Sequence, residues 1–232
     1  MNTDYDITEQ FIILRTSCTH DEEAEEFMGV LKQYMGEEKR NEKMFTNQVN
    51  EDLYLRMYTV DDAEALYHLI DESRDYLKEW LAWVDYNTDV EASRDFIQGT
   101  LNGVVETGGY PKTLAIIYKN ELAGTVGFNE VNRTHQYATI GYWLSEKFQR
   151  KGIVTEACRG IIDLGFKVMR LNRIEIRVAS GNKKSRAIPE RLGFKEEGVL
   201  RQVELVNGQF YDHVVYCMLK DEWSGKKDKQ VD

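Results

Sequence analysis

Apolar residues recur along this chain with two periods. A spacing near 3.6 puts them on one face of a helix, and strict alternation puts them on one face of a strand. The stretch "NEDLYLRMYTVDDAEALYHLIDE" predicts a short strand over 53–57 and a helix from about Asp61, with Asp61 or Asp62 as N-cap. Ala63, Leu66, Leu69, Ile70, Leu77 and Trp80 continue the helical spacing, with a break expected before "LKEWLAWVDYN". A second helix is expected over 89–107, ending at Gly108 and Gly109. Then the period changes to two. "KTLAIIY" and "LAGTVGFNEV" read as strands around a turn at Lys119-Asn120-Glu121, and "QYATIGYWL" reads as a third. A helix over 152–169 precedes "RIEIRVAS", where Ile174, Ile176 and Val178 alternate with Arg173, Glu175 and Arg177. A short helix over 182–192 ends at Gly193. The chain closes with "GVLRQVELV", Asn207-Gly208 and "QFYDHVVYCML", a hairpin with type I′ turn residues.

This order gives an α+β fold around one mixed sheet. Its parallel crossover runs from strand 137–144 through helix 152–169 to strand 173–179, long enough for such a connection. The 232 residues suit one domain with an appendage. In residues 21–43, Ala24, Phe27, Met28, Leu31, Tyr34 and Met35 share a helical face, so the segment reads as either a docking helix or a loosely held tail. The tail 224–232 is polar.

The net charge of −10 argues against wholesale nucleic-acid binding and suits a cationic or amine substrate. Cys18, Cys158 and Cys217 form no CxxC pair and read as reduced thiols of a cytoplasmic protein. No apolar run is long enough to span a membrane, and the acidic start lacks the positive leader of a signal peptide. His20, His68, His135 and His213 show no metal-ligand spacing, so no metal is expected.

One stretch carries candidate chemistry. In "FQRKGIVTEACRGIIDLGF", Gln149, Arg150 and Lys151 meet Gly152 where a helix begins. The first amides of a helix lack internal partners, and the helix end is partly positive, so this turn suits a phosphate. It equally suits a solvated basic loop. Spacing alone leaves both readings open.

The longer segments "IGYWLSEKFQRKGIVTEACRGII", "LNRIEIRVASGNKKSRAIPERLGFKEEGVL" and "NGQFYDHVVYCML" together resemble the GNAT superfamily of acetyl-CoA-dependent N-acetyltransferases. The likeness covers about 53–223 and is greatest to the RimJ/RimL-type branch, which acetylates protein N-termini. It implies a GNAT domain over 44–223, with 1–43 outside it. It also implies a mixed sheet splayed at two neighbouring parallel strands, with helices on both faces. Acetyl-CoA is the implied co-substrate. Its pyrophosphate would lie on the amides of Arg150, Lys151, Gly152, Ile153, Val154 and Thr155. Gln149 and Gly152 match the family's Q/R-x-x-G-x-G/A pattern, and Val154 departs from it. Main-chain groups near Leu144 and Ser145 would pair with the pantetheine arm.

Acetyl transfer to an amine requires loss of the amine's proton, a donor to the developing oxyanion and stabilisation of the leaving thiolate. Many relatives supply a leaving-group tyrosine from the helix after strand 173–179. Here that position is Pro189, and the branch pattern offers Ser185 as acid and Asn182 to order the cofactor arm or a water. The alternative is that Asn182 caps the helix and Ser185 is a first-turn residue. Relatives often place a glutamate where this chain has Thr139. Glu130 is the nearest other acid, and it also reads as a solvated strand end. Trp80, Trp83 and Tyr142 are candidates to line the acceptor site, against core packing. The resemblance leaves a homodimer open and implies neither direct nucleic-acid binding nor a membrane.

Three readings of function remain at this level. One is an acetyltransferase of protein N-termini. The second is an acetyltransferase of small amines such as antibiotics, polyamines or amino acids. The third is an acyl-CoA-binding domain without turnover.

Overall fold

The computed structural model describes residues 45–107 and 109–225. The helical face within 21–43, Cys18, His20, Gly108 and the end of the tail lie outside the described residues. Among the described residues eight strands form one sheet in the order β1-β2-β3-β4-β5-β6-β8-β7. They are β1 (Thr46–Gln48), β2 (Leu53–Arg56), β3 (Thr113–Tyr118), β4 (Glu121–Asn132), β5 (Tyr137–Leu144), β6 (Arg173–Ala179), β7 (Lys195–Val206) and β8 (Gln209–Leu219). Every neighbouring pair is antiparallel except β5–β6. The helices are α1 (Ala63–Asp71), α2 (Arg74–Lys78), α3 (Val90–Glu106), α4 (Ile153–Asp163) and α5 (Lys183–Arg191).

The two hairpin turns follow the residue types. Lys119 and Asn120 both have positive φ, 51° and 66°, and so do Asn207 and Gly208, 52° and 76°. That backbone matches the twist of the flanking strands. Glu121, expected in the first turn, is instead the first residue of β4 and faces Tyr118.

The sheet has a core on each face. On one side Ile153, Ala157, Ile161 and Ile162 of α4 meet Leu55, Phe128, Ile140, Ile174 and Ile176 in one buried cluster. On the other, Leu66 and Ile70 of α1 and Ile97 of α3 meet Tyr58, Ala115 and Ile117. Helices therefore cover both faces, as expected.

Four local expectations change. The break in the first helical stretch falls at Glu72 and Ser73, ahead of α2. Ser73 is buried because its hydroxyl donates to the Ser145 hydroxyl at 2.9 Å and accepts the Glu146 N–H at 3.1 Å. That polar tie, invisible to periodicity, fixes the chain's exit from α1. Asp62 holds the N-cap position of α1, but its carboxylate makes no bond to that helix's amides. It accepts the Thr59 N–H at 2.8 Å and both Arg56 guanidinium nitrogens, at 2.6 and 2.7 Å. The helix after α4 widens into a π turn over Leu164–Val168. Glu175, expected on an exposed face, is only 8 % exposed. It bridges Arg173 and Arg177 at 2.8 Å each, which offsets the cost of burying its charge.

Pro189 lies inside α5 and is buried. It has no N–H to give to the carbonyl of Ser185, four residues back. The Tyr142 hydroxyl of β5 fills that gap, donating to the Ser185 carbonyl at 3.0 Å. Tyr142→Phe should therefore cost about 1–3 kcal/mol by leaving a carbonyl unpaired. The loss should shrink when Pro189→Ala supplies the helix N–H. Denaturant midpoints of the two single variants and the double variant check this, and an equal loss in both backgrounds would refute the replacement.

Candidate functional site

β5 and β6 pair only in part. Tyr137, Ala138, Thr139 and Ile140 align with Arg173, Ile174, Glu175 and Ile176, and no pairing follows. β5 nevertheless runs on to Leu144, held by β4 through Gly124, and β6 runs on to Ala179, held by β8 through His213. Each strand is tied to its outer neighbour, so the gap between them stays open with backbone groups along both edges.

A helix starts beyond each free strand end. After β5, a 3-10 turn over Glu146–Phe148 leads to Gln149 and the turn before α4. Arg150 and Gly152 both have positive φ, 61° and 72°. Gly152 is the N-cap of α4, and a Cβ added there would meet nothing within 4 Å. The first helical bond is from Glu156 N–H to the Gly152 carbonyl, 3.1 Å. The amides of Ile153, Val154 and Thr155 thus precede the first helical bond and have no partner within the helix. Around them stand exposed Arg150 and Lys151, the Lys151 ammonium lying 5.4 Å from the Phe148 ring centre. Gln149 has its Nε2 buried with no hydrogen-bond partner among the described residues. This chemistry fits an anion of phosphate type.

Arg191, at the end of α5, was not legible as part of this turn. Its guanidinium donates to the Thr155 hydroxyl at 2.9 Å, which brings a third cation to the helix start. The contact joins residues 36 positions apart, so only the fold brings them together.

Leu144 closes β5, and Ser145 follows it. Both main-chain groups of Ser145 are engaged: its N–H donates to Ala123 and its carbonyl accepts from Phe148, at 2.9 and 3.1 Å. The free backbone edge facing β6 therefore lies before Ser145.

After β6, Ser180-Gly181-Asn182 leads into α5. Asn182 does cap this helix, accepting the Ser185 N–H at 3.0 Å. Ser185 is half-buried, and its hydroxyl lies 3.2 Å from the Tyr142 hydroxyl. Tyr142 points away from Trp143, towards α5. Burial pushes its phenol well above the ordinary tyrosine range, so it stays protonated.

The opposite face carries different residues. Ile174, Ile176 and Val178 of β6, and Val214, Tyr216 and Met218 of β8, belong to the core under α4. By alternation, Glu175, Arg177, Tyr211, His213 and Cys217 face the other way. Trp80 meets Tyr211 there at a ring separation of 5.7 Å, and Trp83 meets Trp143 at 5.8 Å. Trp83 is 37 % exposed, while Trp80 is half-buried against Gly181. Glu130 sits apart at an exposed strand end, accepting from the Tyr137 hydroxyl. His213, one of the four scattered histidines, has its Nε2 2.8 Å from the Glu204 carboxylate of β7. Burial pushes the Cys217 thiol up to about 12 and the Cys158 thiol higher still, so neither is a thiolate at neutral pH.

Residues 52–195 match the family described as the acetyltransferase (GNAT) domain. The chain belongs to the GNAT acetyltransferase family. It is 38 % identical over 191 residues to the putative ribosomal N-acetyltransferase YdaF of Bacillus subtilis (strain 168), covering 79 % of this chain and all of that one. Among solved structures it resembles RimL, the ribosomal L7/L12 α-N-protein acetyltransferase in complex with coenzyme A. The TM-score is 0.70 at 30 % identity, over 74 % of this chain and 96 % of that one. It also resembles the microcin C7 self-immunity acetyltransferase MccE in complex with acetyl-CoA and AMP. The TM-score there is 0.69 at 34 % identity, over 74 % of this chain and 94 % of that one. The chain is thus an N-acetyltransferase with the GNAT fold. Among the described residues no group of side chains could hold a metal ion, and no helix is long and apolar enough to cross a membrane.

In this GNAT chain the helix start before α4 can be tested directly. Gly152→Asp places a side chain at φ 72° and a negative charge before the exposed amides. Binding of acetyl-CoA measured by calorimetry should weaken at least tenfold in a variant that still melts cooperatively. Unchanged affinity would exclude this turn as the phosphate site.

Proposed function

We propose that this chain transfers acetyl from acetyl-CoA to the α-amine of a protein or peptide N-terminus. The observation that carries the proposal is the half-paired β5–β6 edge, with an amide-bearing helix start beyond each strand. An extended pantetheine arm would lie against the backbone of β5 before Ser145, as an added strand does. The pyrophosphate would rest on the amides of residues 150–155, with Arg150, Lys151 and Arg191 supplying charge. The thioester would then sit in the gap between β5 and β6.

Ser185 would donate to the departing sulfur. Asn182 would act through α5, whose first turn it holds. The amine would attack from the face that carries Trp80, Trp83 and Tyr211. Tyr142 belongs to the sulfur side in this reading rather than to the acceptor side.

Two considerations support an α-amine. The similar proteins named above include acetyltransferases of ribosomal proteins, one of them an α-N-protein acetyltransferase. The chemistry points the same way. At pH 7 an α-amine with a pKa near ~7.8 is about a tenth neutral, whereas a lysine near ~10.4 is neutral in about one part in two thousand. Monitoring CoA release across a panel of peptides with free α-amines, lysine side chains and small polyamines tests the reading. Fastest turnover on α-amino peptides is the expected result, and turnover confined to small amines would replace it.

Ser185→Ala should lower kcat by at most about 10²-fold while leaving acetyl-CoA affinity intact, because a thiol of pKa ~8.5 is already a fair leaving group. Asn182→Ala should also lower the melting temperature, since losing a cap costs about 1 kcal/mol. Wild-type kcat in Ser185→Ala, with chemistry shown to limit the rate, would remove the acid role.

A further inference from the structure

One need of the reaction is unmet by the residues above: something must take the proton from the acceptor ammonium. Thr139 has no group that titrates usefully here, and Glu130 is committed to Tyr137 at an exposed strand end. We infer that His213, held by Glu204, is the general base. The inference rests on reading the chain as an amine acetyltransferase that uses the β5–β6 gap.

Position carries the argument. His213 pairs with Ala179, the last residue of β6, beyond the point where β5 and β6 part. Directly paired residues of antiparallel strands lie about 5 Å apart. Ser180, Gly181 and Asn182 then lead into the turn that carries Ser185. His213 therefore stands at the same level of the sheet as Ser185, and on the opposite face. Ser185 meets Tyr142 on the side of α4 and α5. His213 projects to the side where Tyr211, two residues away, meets Trp80. An acyl carbon between the two faces would receive the amine from one side and release sulfur on the other.

The dyad has the parts that a base needs. The imidazole is only 15 % exposed, and its Nε2 lies 2.8 Å from a Glu204 carboxylate oxygen. With Nε2–H donating to that carboxylate, the lone pair is on Nδ1, free to accept a proton. The carboxylate then stabilises the imidazolium that forms. The other groups facing His213 do not compete. Arg177 on β6 is bound to Glu175, the Tyr211 ring on β8 packs on Trp80, and Trp80, from the turn after α2, carries no charge.

The proton count closes. The ammonium gives one proton to Nδ1, and the free amine attacks the thioester carbonyl carbon. The C–N bond forms and the C–S bond breaks. The second nitrogen proton is matched by one delivered to the CoA sulfur, and the imidazolium returns its proton to solvent. The sum is amide, CoA thiol and one proton.

The test compares wild type, His213→Ala, His213→Asn and Glu204→Gln on a short peptide with a free α-amine, from pH 6 to pH 9.5. His213→Asn keeps a donor for Glu204 and serves if the alanine variant folds poorly. Acetyl-CoA affinity and melting temperature are measured alongside. The expected result is a loss in kcat/KM of about 10²-fold at pH 7 in either His213 variant, with acetyl-CoA affinity unchanged. That deficit should shrink to a few fold above pH ~8.5, where the amine loses its proton unaided. Glu204→Gln should show a smaller loss with the same pH trend. A His213 variant within twofold of wild type at pH 7, or a deficit constant across pH, overturns the assignment. If wild-type enzyme releases no CoA with the peptide, it is the acceptor reading that falls. The same variants are then compared on spermidine, which needs the same deprotonation.

Discussion

The structure depends on a pair of parallel strands that stop pairing halfway. β5 and β6 share register through Ile140 and Ile176 and then diverge, although neither strand ends there. Unpaired backbone groups inside a sheet are costly unless something satisfies them. The pair could close only by peeling β5 from β4 or β6 from β8, and both outer pairings persist to the strand ends. The open edge is thus maintained by ladders on either side of it that run to the strand ends. An extended chain with alternating donors and acceptors is the natural occupant of such an edge.

The same divergence sets the positions of the helices. Each strand that leaves the parallel pairing runs into a turn and then a helix, so two helix starts lie at the open end of the gap. They differ in kind. The start of α4 is capped by a glycine of positive φ, with no side chain bonded to its first amides. The start of α5 is capped by the Asn182 side chain, which uses the Ser185 N–H. One end therefore has no side-chain cap and would suit an external anion, whereas the other is capped internally and presents a hydroxyl. The net charge of −10 does not oppose this, because Arg150, Lys151 and Arg191 gather locally at the α4 start. Local field, not total charge, decides which ion a turn attracts.

Much of this was readable from the chain because it depends on local rules. The hairpin at Asn207-Gly208, the strand alternation of β6 and the glycine before α4 each follow from backbone preferences of one or two residues. The parallel crossover followed from element order and length. What was not readable depends on contacts between distant residues. Periodicity placed Glu175 outside because a carboxylate at an alternating position is normally solvated, and the two flanking arginines reversed that. Ser73 interrupts the first helical stretch through a partner 72 residues away. Arg191 and the His213–Glu204 pair were hidden for the same reason, since no spacing rule links α5 to α4 or the two strands of a bulged hairpin. β1 has only three residues and no alternating signal to detect.

The departures of this chain from the family pattern can be understood as groups delivered from other elements. Val154 replaces a small residue, but phosphate contacts at a helix start are made by main-chain amides, which any residue supplies. Pro189 stands where the resemblance would place a tyrosine, and it also removes the helix N–H that the Ser185 carbonyl would have used. A tyrosine hydroxyl still lies beside Ser185, carried by Tyr142 on β5. Thr139 holds no carboxylate, and the face it shares with β6 and β8 instead presents an imidazole tied to Glu204. Acid–base chemistry needs a group of suitable chemistry within reach of the reacting atom, and it is indifferent to the strand that bears it. If the proposed roles hold, a site open between two strands is served from β5, α5 and β8 alike, and a residue lost from one of these elements does not by itself remove the function it served.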